Sequence, residues 1–539
     1  MRSNVFKLSA IAVTVCASFG AQAALYNVYS YLPEASDAKT FGVAIQPSAD
    51  SISCWSTNNC NLSTDPQFHE DKQKIAFEEQ VYNQGFSYRD ESPFRLSFGF
   101  DYLEEGFDGF ESYCDNYLGY TNEACDRWAD EQYTRGYAKQ GSLNNSKAYI
   151  EATSNTVNAG EDDVVVNSFA TDAASAMGNF YGGSLKNRSY AYINGTTELS
   201  RTNGSVTYDQ SKVWAFDGEK YIGSVSKQST DDVNDYISYA AVWNSTGAIE
   251  KVFTHTTTAD GRLIAQASLR DIVTANGLNG TTNGTKYIVG YSSDSEPRPV
   301  AAVYKLDGSE PKTVGRFSDD AYLSSILTSV NENGIAIGEV KYDNALERAY
   351  PNALFYTTNL ESPNSGYSTF SGSIFFTGAN GKAGAINNHN EVVGQIDYER
   401  RAEIDGTERA KRAFVTVVGD KSKSNAPFKN GSYYLDDLTS GVSSNNQYRI
   451  VDATDINDAG VISGTALYCS GGYATEDIGA TCNAGSPTLV AVKLVPIQGA
   501  TAADIQPRPV TETTIERQGA SLGWLALGLL TLLGFRRKQ

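Results

Sequence analysis

The chain has 539 residues, with 63 acidic side chains against 43 basic ones for a net charge of −20, and it carries 48 glycines, 33 tyrosines and only 2 methionines. So acidic a surface is repelled by phosphate backbones and anionic lipid, which argues against nucleic-acid binding. Three histidines without ligand spacing leave little material for a zinc centre or a Ser-His-Asp triad.

The N-terminus reads as an export signal over residues 1–23. Arg2 and Lys7 form a basic start, an apolar run follows from Leu8 to Phe19, and Ala21-Gln22-Ala23 is a small-x-small cleavage site. The run falls short of the ~20 residues a membrane-spanning helix needs. Cleavage between Ala23 and Ala24 would place the mature protein outside the cytoplasm, and an even set of six cysteines then remains. An even set in an exported chain points to disulfides. Many pairings are possible, but short loops cost the least closure entropy, which favours Cys54–Cys60, Cys114–Cys125 and Cys469–Cys482.

Residues 24–494 are short β-branched and aromatic runs punctuated by Gly, Asn and Asp, the habit of an all-β protein. "ALYNVYSYL" (24–32) is expected to pair with the last repeat, because closing a ring removes exposed sheet edges. Residues 62–140 break the pattern. Helices are predicted over 68–84 and 124–140, flanking the aromatic and acidic stretch 94–120. The segment reads as an insertion in the first repeat, clipped by Cys114–Cys125. Its Tyr and Trp side chains could stack on sugars or grip a partner, but packing against the body is the favoured expectation.

The remainder repeats one frame. "VNENGIAIGEV" (330–340), "AINNHNEVVGQI" (385–396) and "DINDAGVISGTA" (455–466) each give an Asn, a tight turn and a β-alternating trio closed by glycine. With two fainter copies at 215–226 and 279–292, the closing glycines are Gly223, Gly290, Gly338, Gly394 and Gly464, and a second apolar strand follows most of them. Small sheets of this kind bury their faces only against one another, which predicts a β-propeller-like domain of six or seven blades. His389 falls in the turn of one copy, where sister copies have no histidine, and Asn390 stands where Gly334 and Gly460 stand. Asn and Gly tolerate the left-handed conformation of tight hairpins, so His389 is expected to be an exposed side chain without a catalytic role. The frame resembles the HAF-type extracellular repeats.

After the repeats, residues 495–518 form a Pro/Thr-rich stretch that reads as an extended linker. Residues 519–539, "GASLGWLALGLLTLLGFRRKQ", join small residues, an apolar run from Leu522 to Phe535 and a basic end, the layout of a membrane helix whose cations stay cytoplasmic. This tail resembles the GlyGly-CTERM sorting signals of Gram-negative bacteria, with Gly519-Ala520 in place of the family's Gly-Gly and Ser521, Leu522, Gly523 and Trp524 following the family pattern. The resemblance implies three things: passage through the export machinery, transient anchoring in the inner membrane, and cutting at Gly519-Ala520 by rhombosortase, a rhomboid-type intramembrane protease. The destination is then the cell surface or the medium. Signal, repeats and tail together resemble a domain-of-unknown-function family of exported proteins, which brings no activity with it.

No residue stands out as catalytic or cofactor-binding, and the physiological ligand is unknown. "DINDAG" (455–460) offers oxygens to a structural calcium ion, although Ala459 occupies the fifth position, where an EF-hand needs a ligand. "SADSISCW" (48–55) resembles the Asp-box of sialidase-type propellers through Ser48, Asp50 and Trp55, but Ile52 and Cys54 replace the residues that shape that turn. The leading expectation is a non-enzymatic binding module displayed at or beyond the cell envelope. The alternative is a hydrolase acting on glycans through paired carboxylates at the propeller mouth.

Overall fold

The repeated apolar runs pair into seven small antiparallel sheets, six of four strands and one of three. The computed structural model describes residues 24–510 except 34–36, 49–52, 57–59, 61–72, 85–86, 92–104, 116–121, 141–143, 154–155, 183–188, 230–235, 256–258, 261–262, 279–280, 294–297, 309, 319 and 403–408. The first strands of the sheets are Lys39–Ile45, Val165–Phe169, Gln210–Phe216, Ala267–Thr274, Tyr322–Val330, Gly381–Ile386 and Tyr448–Ile456. Each touches the first strand of the sheets before and after it, the last touching the first, so together they line a closed central ring. The sheets are therefore the blades of a seven-bladed β-propeller, numbered here in chain order. Tyr26–Tyr31 supplies the outermost strand of blade 7, running antiparallel to Thr488–Pro496 with Tyr26 opposite Pro496. The ring is closed by the segment expected to close it.

Apolar burial explains why the blades stack. A cluster of buried side chains fills each interface between neighbours: Val213, Tyr221 and Trp243 of blade 3 meet Met177 and Ile193 of blade 2, and Ile450 and Val492 of blade 7 meet Val393 and Val415 of blade 6. Ile45 and Ile75 meet Val461 and Val495 at the closing seam. At roughly 25 cal/mol per Å² of apolar surface, these seven interfaces are the main stabilising term.

The repeat frame has a backbone cause. Every first strand carries an irregularity in its pairing at the same level, between Val166 and Ser168 in blade 2, Leu269 and Asp271 in blade 4, and Ala453 and Asp455 in blade 7, for example. The bulge presses the first strand's carbonyl onto the second strand. A Cβ on Gly178, Gly223, Gly290 or Gly338 would lie 2.0 Å from such a carbonyl oxygen. The closing glycines are thus required by close approach. Gly178 extends the set to blade 2. In blade 1 Phe77 takes the position, and the glycine moves to Gly42 opposite it.

Several expectations are corrected. Residues 75–80, expected to be helical, form the second strand of blade 1. Their helix-forming Glu and Gln side chains are overridden because Ile75, Ala76, Glu78 and Gln80 are buried in the sheet. The insertion accordingly lies between Gln80 and Ser146, within blade 1, rather than over 62–140. It holds helices α1 (Gly106–Tyr113) and α2 (Asn122–Ala129), of which only the second was expected. Elsewhere the one α-helix among the described residues is α3 (Leu435–Thr439). The stretch expected to be an extended linker stays on the propeller as far as the described chain runs: Ile497 N–H donates to Leu25 O, Ile478 N–H donates to Pro509 O, and Arg508 is buried. The export signal and the sorting tail lie outside the described residues. Among those described, no helix is long and apolar enough to cross a membrane.

Candidate functional site

The ring axis is where propellers place ligands. The chain itself occupies one side. Residues 87–91, which lie beyond the second strand of blade 1, run across the first strands of blades 2, 3 and 4. Arg89 pairs with Glu78 and donates to Val166 O at 3.1 Å. Lys212 of blade 3 reaches Tyr88 O. Glu91, with no exposed side-chain surface, accepts from Arg270 at 2.8 Å, from Ser224 at 2.8 Å and from the Tyr291 hydroxyl. Arg270 occupies the bulge of blade 4 and stacks 3.7 Å above the Trp214 ring, which occupies the bulge of blade 3. Burial pushes the Glu91 carboxyl up, but Arg270 and Lys212 outweigh it and hold the group below its usual range. Glu78 ends above its usual range, because its burial exceeds what Arg89 returns. The segment is a stopper fixed by buried ion pairs.

Two further carboxylates lie at the axis, Asp271 in blade 4 and Asp455 in blade 7. Burial pushes both up to about 6, and Asp455 also feels the charge of Asp271 across the ring. Each already has structural work. Asp271 accepts from Val330 N–H and Ser329 Oγ of blade 5, both at 2.8 Å, and Asp455 accepts from Ile45 N–H of blade 1 at 2.9 Å. They sit at equivalent positions just past the bulge and tie one blade to the next.

The Asn that opens each repeat turn makes a second tie. Asn387 Oδ1 accepts from His389 N–H and Glu391 N–H within its own turn, while its Nδ2 donates to Asn457 O of blade 7. Asn331 donates likewise to Asn387 O, and Asn457 to Gln46 O. Asn390, Gly334 and Gly460 all have positive φ, 63°, 75° and 82°, as their shared turn position demands. His389 is in that turn but is half-buried, not exposed as expected; its buried Nε2 has no hydrogen-bond partner among the described residues. His255 Nε2 lies 2.6 Å from Ser238 O, and burial lowers its pKa. His69 and Asp50 lie outside the described residues. Of the calcium candidates in "DINDAG", Asp455 faces blade 1, Asn457 caps its turn, and Asp458 accepts from Asn388. No group of three possible metal ligands occurs among the described residues.

The structure joins Cys54 to Cys60, Cys114 to Cys125 and Cys469 to Cys482, with Cα separations of 5.2, 5.4 and 5.5 Å. The second clips α1 to α2. Phe110, Tyr88 and Ala129 pack on Val165 of blade 2, with Phe107, Tyr113, Trp128, Tyr133 and Tyr137 half-buried around them. The insertion's aromatics therefore pack against the body, and its exposed rim carries Asp108, Glu123, Asp126 and Glu131. Sequence reasoning did not find Glu91, Arg270 or Asp271. Glu91 and Arg270 meet across 179 positions of chain, and nothing local marks either one.

No curated protein matches the sequence. Among solved structures, the chain is similar to a protein of unknown function from Dyadobacter fermentans, at 10% identity and a TM-score of 0.31 over 61% of this chain and 93% of that one. It is also similar to a subtype N11 neuraminidase-like protein of A/flat-faced bat/Peru/033/2010, at 10% identity and a TM-score of 0.28 over 62% and 86%. A glycosyl hydrolase from Bacteroides ovatus follows at 9% identity and a TM-score of 0.25 over 53% and 85%. Likeness this distant bears on no activity. Residues 222–538, more than half of the chain, match the profile of a family described as protein of unknown function DUF3466, and the chain belongs to that family.

Proposed function

We propose that the protein is an exported, surface-displayed or secreted β-propeller that acts as a binding module. The observation that carries this reading is the stopper. The axis, which a propeller enzyme would use as its substrate mouth, is lined along blades 2, 3 and 4 by residues 87–91 of the chain itself, and Glu78 and Glu91 are consumed in ion pairs there. Three disulfides suit an oxidising compartment. On this reading the signal is cut between Ala23 and Ala24. The tail holds the protein in the inner membrane until a rhomboid-type protease cuts at Gly519-Ala520. The exposed acidic rim of the insertion, opposite in sign to cationic partners, is the surface offered.

A second reading, glycan hydrolysis, is favoured by one feature. Asp271 and Asp455 share the axis, and their carboxyls, pushed up to about 6, suit proton transfer near neutrality. Incubating the purified mature protein with envelope polysaccharides separates the two. The binding reading expects retention on immobilised polysaccharide or envelope material without release of reducing ends. Release that disappears in Asp271→Asn and Asp455→Asn would establish the hydrolase instead.

A further inference from the structure

Between blades 6 and 7 three arginines converge. Arg412 comes from the third strand of blade 6, Arg449 from the first strand of blade 7, and Arg508 from the chain's last described stretch. All are at least nine-tenths buried, at 9%, 1% and 3% exposure. Asp436 in α3 lies 3.3 Å from Arg412 Nε and 4.0 Å from Arg508 Nε, and Asn446 Oδ1 accepts from both Arg449 and Arg508. Arg508 also donates to Glu476 at 2.6 Å. The rings of Tyr473 and Tyr398 lie 4.0 and 5.6 Å from Arg449 and Arg412. Asp437, whose carboxyl burial raises to about 6, accepts from the Arg508 backbone N–H at 2.9 Å.

Three guanidiniums share this seam with the carboxylates of Asp436, Asp437 and Glu476, yet not every donor finds an acceptor. Arg449 Nε and Arg508 Nη2 are buried without an acceptor, and the Arg412 Nε and Asp436 Oδ2 atoms, though close, make no hydrogen bond. Buried donors on charged groups are costly to leave unpaired, and planar guanidinium edges match oxyanions best.

We propose that this socket binds a small oxyanion, of carboxylate or phosphate type, between Arg449 and Arg508 with Arg412 at its edge. Occupancy would pin the C-terminal stretch that carries Arg508 to blades 6 and 7, since Arg508 N–H already donates to Asp437 Oδ1 and its Nε to Asp436 O.

The test is thermal unfolding of the mature protein at constant ionic strength with inorganic phosphate, acetate or chloride added in turn. A ligand that binds only the folded state raises the melting temperature in a saturable way. The proposal expects a saturable rise of several degrees with phosphate or with acetate, the responding anion identifying the type. Arg508→Lys, which keeps the charge and removes the orphaned donor, should weaken that response at least tenfold, as should Arg449→Lys. Arg127→Lys, on the exposed face of α2, should leave it unchanged. If Arg508→Lys does not fold, Arg449→Lys carries the comparison. No saturable rise, an equal rise with chloride, or a rise untouched by either variant would overturn the proposal, leaving the socket filled by water alone.

Discussion

Gly290 shows how much one hydrogen atom decides. Its missing Cβ would stand 2.0 Å from Ser268 O, so any side chain forces the bulged first strand of blade 4 off the second. Gly290→Ala should cost about 3 kcal/mol, the upper part of the overpacking range. Gly315→Ala, with nothing within 4 Å, should stay within about 0.5 kcal/mol of wild type. Chemical denaturation of both variants checks the contrast. Glycine at this place was legible as a recurring letter in the sequence, but its cause was not, because the carbonyl it accommodates belongs to a bulge that only pairing reveals. Asn331, Asn387 and Asn457 were legible in the same partial way: each was seen opening a turn, and the bond each passes to the next blade was not.

At the scale of elements, the stopper is held chiefly by one buried pair. Glu91→Ala removes the closer and fully buried partner of Arg270, leaving that buried guanidinium only the partly exposed Asp90 at 3.3 Å, which should cost about 3 kcal/mol and free residues 87–91 for protease nicking. Replacing the pair together, Glu91→Leu with Arg270→Met, should recover much of that loss, because neither charge is then stranded. Urea unfolding of the single and double variants measures both. The elements themselves were unevenly legible. Third strands such as Pro299–Lys305 and Lys411–Val417 were clear from their apolar runs. Ile75–Gln80 was mistaken for helix because Glu and Gln favour helices locally, while the sheet that buries them is built from distant chain. α1 was missed because glycines at 106 and 109 hide its pattern.

At the scale of the molecule, the raised carboxyls set a pH dependence. Asp271, Asp455 and Asp437 move from 3.8 to about 6 in the folded state, mainly through burial. Between those values the folded protein binds more protons than the unfolded chain, so these groups make stability fall as pH rises through the window. Glu361 acts oppositely. Burial opposes its ionisation, but Lys305 and Lys312 hold it down to about 2 from 4.5, so its contribution is lost as pH falls below 4.5. The melting temperature should therefore rise as pH falls from about 7 to about 4, and the gain should level off below that, where the Glu361 contribution is lost. In the Asp271→Asn, Asp455→Asn double variant, that rise should shrink.

The central claim is a ring closed by its own N-terminal strand and stoppered by its own insertion. Hydrogen–deuterium exchange of the mature protein, read by mass spectrometry, tests it most directly. Peptides covering Tyr26–Tyr31 should be as protected as those covering Thr488–Pro496, their pairing partner, and peptides covering 87–91 should exchange with the slow amides of Ala267–Thr274. Complete exchange of 87–91 within seconds, while the blades stay protected, would mean an open axis and would contradict the account.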